Sequence, residues 1–224
     1  MCESAANFDR VARPYRWMEY LSFGLLLQRC RAYRISQLKE CRRALALGDG
    51  DGRFLTQLMK NNSLLEAEAV DASSAMLRLL ENRILSVGAR NRLAVQCEDA
   101  RSFTPARQYD LVATHFFLDC LDTGEVTALA ERIRPHLSAG AMWVVSDFAV
   151  PYGLAEMPAR LIVSFLYAAF GLLTGLRIRK LPAHGNALRA AGFRLTDRKT
   201  WLGGLLFSEL WQPEATDAVP TISH

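Results

Sequence analysis

The chain lacks the marks of several common architectures. Its five cysteines, Cys2, Cys30, Cys41, Cys97 and Cys120, are odd in number, scattered and without metal-ligand spacing. That argues against a disulfide framework or a metal site and fits reduced thiols in a cytoplasmic protein. The N-terminus is polar, so a signal peptide is not expected. The longest apolar run, Leu161 to Leu176, falls short of the ~18–20 residues that a spanning helix needs. It is flanked by Arg160, Arg177, Arg179 and Lys180, contains the pair Gly171 and Gly175, and reads as a buried or lid helix rather than a membrane contact. The net charge is a modest +4, and no basic stripe is interleaved with aromatics, so a nucleic-acid partner is not expected. Arginine clusters near the N-terminus (Arg10, Arg13, Arg16, Arg29, Arg31, Arg34, Arg42, Arg43), which reads as a solvated helix face. A Gly-Lys-Ser/Thr phosphate loop is missing, as is the Gly-x-Gly-x-x-Gly dinucleotide spacing. There is no internal repeat.

What is present is an alternation of strands and helices. Ala44–Leu47 reads as a buried strand, Gly48, Gly50 and Gly52 make a turn, and Phe54, Leu55, Leu58 and Met59 begin a helical period. Such a turn can leave helix-start N–H groups open to a ligand, because glycine carries no Cβ. Further strands are expected at Glu66–Val70, Arg92–Cys97, Tyr109–Phe117 and Ala141–Asp147. Helices are expected over Phe8–Gln37, broken near Pro14, and over Ala75–Leu85, Glu125–Leu137 and His184–Ala191. Ser73 or Ser74 would cap the second of these, and Ser138-Ala139-Gly140 would end the third. Phe193–Trp201 and Leu205–Trp211, joined at Gly203-Gly204, read as a closing antiparallel hairpin. Right-handed crossovers then give a doubly wound, mostly parallel α/β sheet of seven strands. One domain over residues 1–212 is expected, with a helical lid over 1–40, a hydrophobic insert over 151–182 and a tail over 213–224.

The Gly48-x-Gly50-x-Gly52 turn resembles the first motif of class I S-adenosylmethionine-dependent methyltransferases. Asp71 ends the second strand roughly 20 residues beyond the turn, where a carboxylate can accept both ribose hydroxyls. An acid there is shared with nicotinamide proteins, and it can also cap the next helix. The resemblance implies that Asp99 accepts the adenine amine, that the Ala100 N–H faces a ring nitrogen, and that Ala72 and Met76 line the adenosine. It implies a Rossmann-like fold with S-adenosylmethionine as cofactor, held by Gly48, Asp49, Gly50, Gly52, Asp71, Ala72, Met76, Asp99, Ala100 and His115. The Phe8-Asp9-Arg10-Val11-Ala12-Arg13-Pro14-Tyr15 opening is similar to that of methyltransferases acting on quinones and other small molecules, whose first helix closes over the cofactor. One position departs from the family. The acid usual two residues before the first glycine, which lies near the methionine amino group, is Ala46 here. Asp49, Asp51 and the Gly48 carbonyl are the candidates to replace it.

The end of the fourth strand carries His115-Phe116-Phe117-Leu118-Asp119-Cys120. His115, with an unperturbed pKa near ~6.5, can act as a base or be a core histidine bonded to backbone. Asp119 can act as a base, bind a cationic acceptor, or cap the following helix. Tyr15 and Tyr20 can offer a ring or hydroxyl to the sulfonium, or pack in the core. These four are the catalytic candidates. The expected activity is methyl transfer to a small, apolar acceptor, since the insert over 151–182 is rich in Leu, Phe, Ala and Tyr. The alternatives are self-reaction of the cofactor with release of methylthioadenosine, a silent cofactor-binding module, and a nicotinamide enzyme.

Overall fold

The computed structural model describes residues 24–150 and 181–214. Seven strands form one sheet: β1 (Arg43–Leu47), β2 (Glu66–Asp71), β3 (Leu93–Cys97), β4 (Tyr109–His115), β5 (Leu137–Phe148), β6 (Phe193–Trp201) and β7 (Leu206–Pro213). Their order is β3-β2-β1-β4-β5-β7-β6. The first five are parallel, and β7 runs antiparallel to both β5 and β6. The helices are α1 (Gly24–Ala32), α2 (Arg53–Asn61), α3 (Ser74–Leu85), α4 (Thr123–Ile133) and α5 (His184–Ala190).

Period-two alternation splits the central strands between two cores. Ala44, Ala46, Ala67, Ala69, Leu111 and Ala113 face one way, toward Phe54, Leu55, Leu58 and Met59 of α2 and Leu77, Leu80 and Ile84 of α3. Leu45, Leu47, Val70, Val112, Trp143 and Val145 face the other, toward Val126, Leu129, Ala130 and Ile133 of α4 and Ala187 and Leu188 of α5. Each large apolar side chain so buried contributes roughly 1.5–3 kcal/mol. On the α2 face the strand residues are mostly alanine, which leaves room for the bulk to come from the helices.

The solvated helix face expected of the N-terminal arginines does not hold for two of them. Leu27, Arg31, Arg34 and Leu38 recur at helical spacing and all turn inward. Arg34 is wholly buried and donates to Ser208 Oγ (3.1 Å), Ser208 O (2.8 Å), Gln37 Oε1 (3.1 Å) and Asp197 Oδ2 (2.8 Å). These bonds tie the segment after α1 to β7 and to the edge strand β6, which removes the cost of burying a guanidinium unpaired. Arg29, Arg42 and Arg43 are exposed, as expected.

Several boundaries differ from the sequence reading, among them the first helix, which ends at Ala32 rather than Gln37. Helix α4 begins at Thr123, because Asp122 and Glu125 form a reciprocal capping box, and it stops at Ile133 before Pro135. Ser138-Ala139-Gly140 therefore lies inside β5, beside a register irregularity between Tyr109 and Leu111. Strand β4 ends at His115 because Phe116 adopts a left-handed conformation, φ 54°. Ser73, not Ser74, caps α3, its side chain accepting from the Met76 N–H at 3.2 Å. Among the described residues no helix is long and apolar enough to cross a membrane. The run Leu161 to Leu176, most of the insert, the lid before Gly24 and the tail after Glu214 lie outside the described residues.

Candidate active site

The parallel strands all present their carboxyl ends at one edge, where crevices form in doubly wound sheets. Strand order reverses between β1 and β4, the switch point at which such sheets bind ligands. The glycine turn leaves β1 at this point, and His115 to Asp119 leaves β4 beside it. Gly48 donates to Val70 O at 2.9 Å and Gly52 to Asp49 O at 3.1 Å, so the turn is held at both ends. A methyl group built on Gly48 (φ +64°) would lie 2.2 Å from Phe117 Cδ2. One built on Gly52 would lie 2.6 Å from Leu80. Gly50 (φ +59°) differs, since no described residue stands within 4 Å of that position. The outer glycines are tight because the protein packs on them, and the middle one faces open space that a ligand can fill.

Asp49 and Asp51 have separate environments. Asp51 is clamped by Arg53 Nε (3.1 Å to Oδ2) and Arg83 Nη2 (2.7 Å), while its carbonyl accepts Arg83 Nε at 3.0 Å. It joins α2 to α3. Asp49 turns inward. Its Oδ2 accepts the Leu55 N–H at 3.1 Å, and its Oδ1 is buried with no hydrogen-bond partner among the described residues. Burial, eased by the Leu55 bond and the charge of Arg31, pushes the carboxyl up to about 7. A buried acceptor left open costs about 1–3 kcal/mol, more when charged, so the arrangement calls for a donor.

Asp71 closes β2, and its Oδ1 accepts the Ser73 N–H at 2.8 Å. The helix cap is Ser73 itself. Ala72 and Met76 follow at the start of α3, with the Ala72 carbonyl accepting the Cys97 thiol at 3.8 Å. Asp99 lies just past β3, half-exposed, and pairs with Arg101, whose guanidinium also reaches Glu125 and the Cys120 carbonyl. Ala100 is buried, and its carbonyl is fixed by Arg132 at 3.0 Å. Asp71 and Asp99 thus stand at neighbouring strand ends on the β2–β3 side of the glycine turn.

On the other side, His115 is buried against Phe54, ring centroids 4.1 Å apart, and neither ring nitrogen has a hydrogen-bond partner among the described residues. It is not bonded to backbone. Burial, then the nearby Arg31 charge, lowers its pKa to about 3, so it is neutral at pH 7 and a weak proton acceptor. Asp119 does not cap α4, since Asp122 does. Instead it meets Asp147 at the end of β5: the Asp119 N–H donates to Asp147 Oδ2 at 3.2 Å, and the Phe148 N–H to Asp147 Oδ1 at 2.8 Å. Burial pushes Asp119 up to about 6. Burial first, then the Asp119 charge, raises Asp147 further. The two carboxyls form a buried pair that resists holding two negative charges.

Sequence reasoning had not singled out two of these groups. Asp147 was legible only as the last residue of a strand. Arg31 was grouped with the solvated arginines, yet it is buried, with its guanidinium 4.9 Å over the Phe116 ring. The helical spacing from Leu27 to Leu38 was the signal for it. Tyr15 and Tyr20 lie outside the described residues.

Comparisons with known proteins bear on the domain and its fold. Residues 45–143 match a family described as a methyltransferase domain. The chain is 30% identical over 114 residues to polyamine aminopropyltransferase 2 of Bacillus cereus, covering 46% of this chain and 31% of that protein. Its fold is similar to that of an S-adenosylmethionine-dependent methyltransferase from Clostridium acetobutylicum (TM-score 0.66, 13% identity, 90% of this chain and 98% of that one). It is similar as well to an O-methyltransferase family 2 protein from Planctomyces limnophilus solved with apigenin (TM-score 0.68, 16% identity, 94% and 66%). The chain spans about a third of the length of the curated relative it matches. Residues 45–143 thus resemble a methyltransferase domain, and the chain has the fold of a methyltransferase that uses S-adenosylmethionine. The open space at Gly50, the orphaned Asp49 oxygen and the two acids at successive strand ends fit that molecule.

Proposed function

We propose that this chain transfers a methyl group to a small, apolar acceptor held at the carboxyl ends of β4 and β5. The observation that carries the reading is the glycine turn at the switch point, packed tight at Gly48 and open at Gly50, with Asp71 and Asp99 beyond it. When bound, S-adenosylmethionine supplies a methyl group already activated on its sulfonium. The residues then have to bind, orient and exclude water. Asp71 would hold the ribose, Asp99 and the Ala100 N–H the adenine, and Ala72 and Met76 the adenosine face. Asp99 would share its carboxylate between the adenine amine and Arg101.

The acceptor side falls to the β4–β5 edge. Asp119, backed by Asp147, is the group that would take a proton from an attacking hydroxyl or amine. Its raised pKa puts it within reach of neutral pH, where general bases work best. His115, kept neutral by burial, would line the pocket between turn and acceptor. Tyr15 and Tyr20 would offer an aromatic face to the sulfonium from the N-terminal segment. The greasy composition of residues 151–182 suits an apolar acceptor, and the Planctomyces limnophilus neighbour was solved with one small aromatic molecule, apigenin. The scattered free cysteines suit a reducing cytoplasm.

The test is product analysis by mass spectrometry. The protein is incubated with S-adenosylmethionine and a panel of small phenols, quinols and amines. S-adenosylhomocysteine together with an acceptor heavier by one methylene is the expected result. Methylthioadenosine as the released product would show attack on the carbon chain and overturn methyl transfer. Binding with no conversion across the panel and a cell extract would leave only a cofactor-binding module.

A further inference from the structure

Ala46 stands where related methyltransferases place the acid that meets the methionine amino group. It is fully buried in the α2-side core and can make no polar contact through its side chain. Three groups near the turn could replace that acid, and the structure separates them.

Asp51 is committed. Both of its oxygens contact Arg53 and one also contacts Arg83, so its charge is answered by two guanidiniums from α2 and α3. Recruiting it would break the joint between those helices. The Gly48 carbonyl is neutral, and an ammonium gains more from a charge-assisted bond than from a neutral one. Asp49 has the properties the other two lack. It is ionisable and half-buried, one oxygen is fixed by the Leu55 N–H, and the other is enclosed with no hydrogen-bond partner among the described residues. It lies next in sequence to Gly50, whose Cβ direction has no described residue within 4 Å.

We propose that Asp49 receives the ammonium group of the bound cofactor through its free Oδ1, replacing the acid missing at Ala46. The assignment rests on S-adenosylmethionine being the cofactor. An ammonium brings three N–H donors and a positive charge to a carboxylate that burial has left under-compensated. The Leu55 bond keeps the carboxylate from swinging away, so the free oxygen is presented without a further ordering cost.

S-adenosylhomocysteine and methylthioadenosine share the adenosine, but only the first carries the amino-acid tail. Calorimetric binding of both ligands therefore reads the tail separately from the adenosine. Asp49→Asn keeps an acceptor for Leu55 but removes the charge. It is expected to weaken S-adenosylhomocysteine at least tenfold and to leave methylthioadenosine within twofold. Asp49→Ser carries the same expectation and guards against one variant failing to fold. Asp51→Asn is expected to lower the unfolding temperature and leave the ratio of the two affinities unchanged. An equal loss of both ligands in the Asp49 variants, no loss of either, or a ratio that moves with Asp51 instead would overturn the assignment. A wild-type protein that binds neither ligand would overturn the cofactor itself, and the assignment with it.

Discussion

Substituting the first two glycines of the turn separates packing from ligand space. Both have positive φ, so alanine at either costs about 1–2 kcal/mol from the left-handed backbone alone. At Gly48 the new methyl would also meet Phe117 at 2.2 Å and 2.7 Å, well inside contact distance. Phe117 is part of the tight turn after β4, so relief requires that ring to move, adding roughly 1–3 kcal/mol of overpacking. Gly48→Ala is therefore expected to lose about 2–5 kcal/mol of stability. Gly50→Ala should lose only the backbone share, about 1–2 kcal/mol, because its methyl meets no described residue within 4 Å. The order reverses in relation to binding. The Gly50 methyl enters the space assigned to the cofactor, and a clash there of about 1–3 kcal/mol weakens binding by roughly 5- to 150-fold. Urea unfolding measures the first quantity, and calorimetric titration with S-adenosylhomocysteine the second. A Gly50→Ala protein that binds as well as wild type would refute the reasoning. The open space beside Gly50 would then be solvent, and the cofactor would lie elsewhere.

Two further predictions concern pH. If Asp119 is the base, kcat/KM rises as pH passes through about 6, where its proton leaves, and then levels off. Asp119→Asn should remove that acid limb and slow turnover by roughly 10²–10⁴-fold, and an unchanged pH–rate profile in the variant would end the base role. Asp49 and His115 should pull stability in opposite directions. The Asp49 pKa is raised in the fold, so its contribution is full below about 4, the unfolded value, and is lost as pH rises through about 7. The His115 pKa is lowered, so its contribution is full above about 6.5 and is lost as pH falls through about 3. Relative to wild type, Asp49→Asn should then tilt the stability curve upward with pH across this range and His115→Leu should tilt it downward, each by a few kcal/mol at most. Urea titrations at several pH values check this, and parallel curves for the two variants would contradict it.

The framework was readable from the chain because it depends on local rules. Short apolar runs between glycine and acid punctuation mark parallel strands, and the five parallel strands fall where those runs lie. The glycine turn and Asp71 were legible for the same reason, since a motif at a strand end keeps its place once the crossovers are right-handed. Helix α4 shows where local reading needs the detail of caps. The Asp122–Glu125 box starts it two residues early, and Pro135 ends it before the Ser-Ala-Gly breaker is reached.

What the chain by itself determined was the sheet, its closing hairpin and the site's outline along one edge. The tertiary structure decided the state of each charged group in that outline. Arg31 and Arg34 are buried because α1 lies against the sheet, and Ser208 and Asp197, more than 160 residues away in sequence, help make Arg34's burial tolerable. Asp49 and Asp51, two residues apart in one turn, part company because Arg83 arrives from α3 to neutralise one and no described residue donates to the free oxygen of the other. Asp119 gains a partner in Asp147 only because β4 and β5 are paired. A residue's charge and protonation depend on burial and on partners brought from distant segments, and no spacing along the chain encodes those.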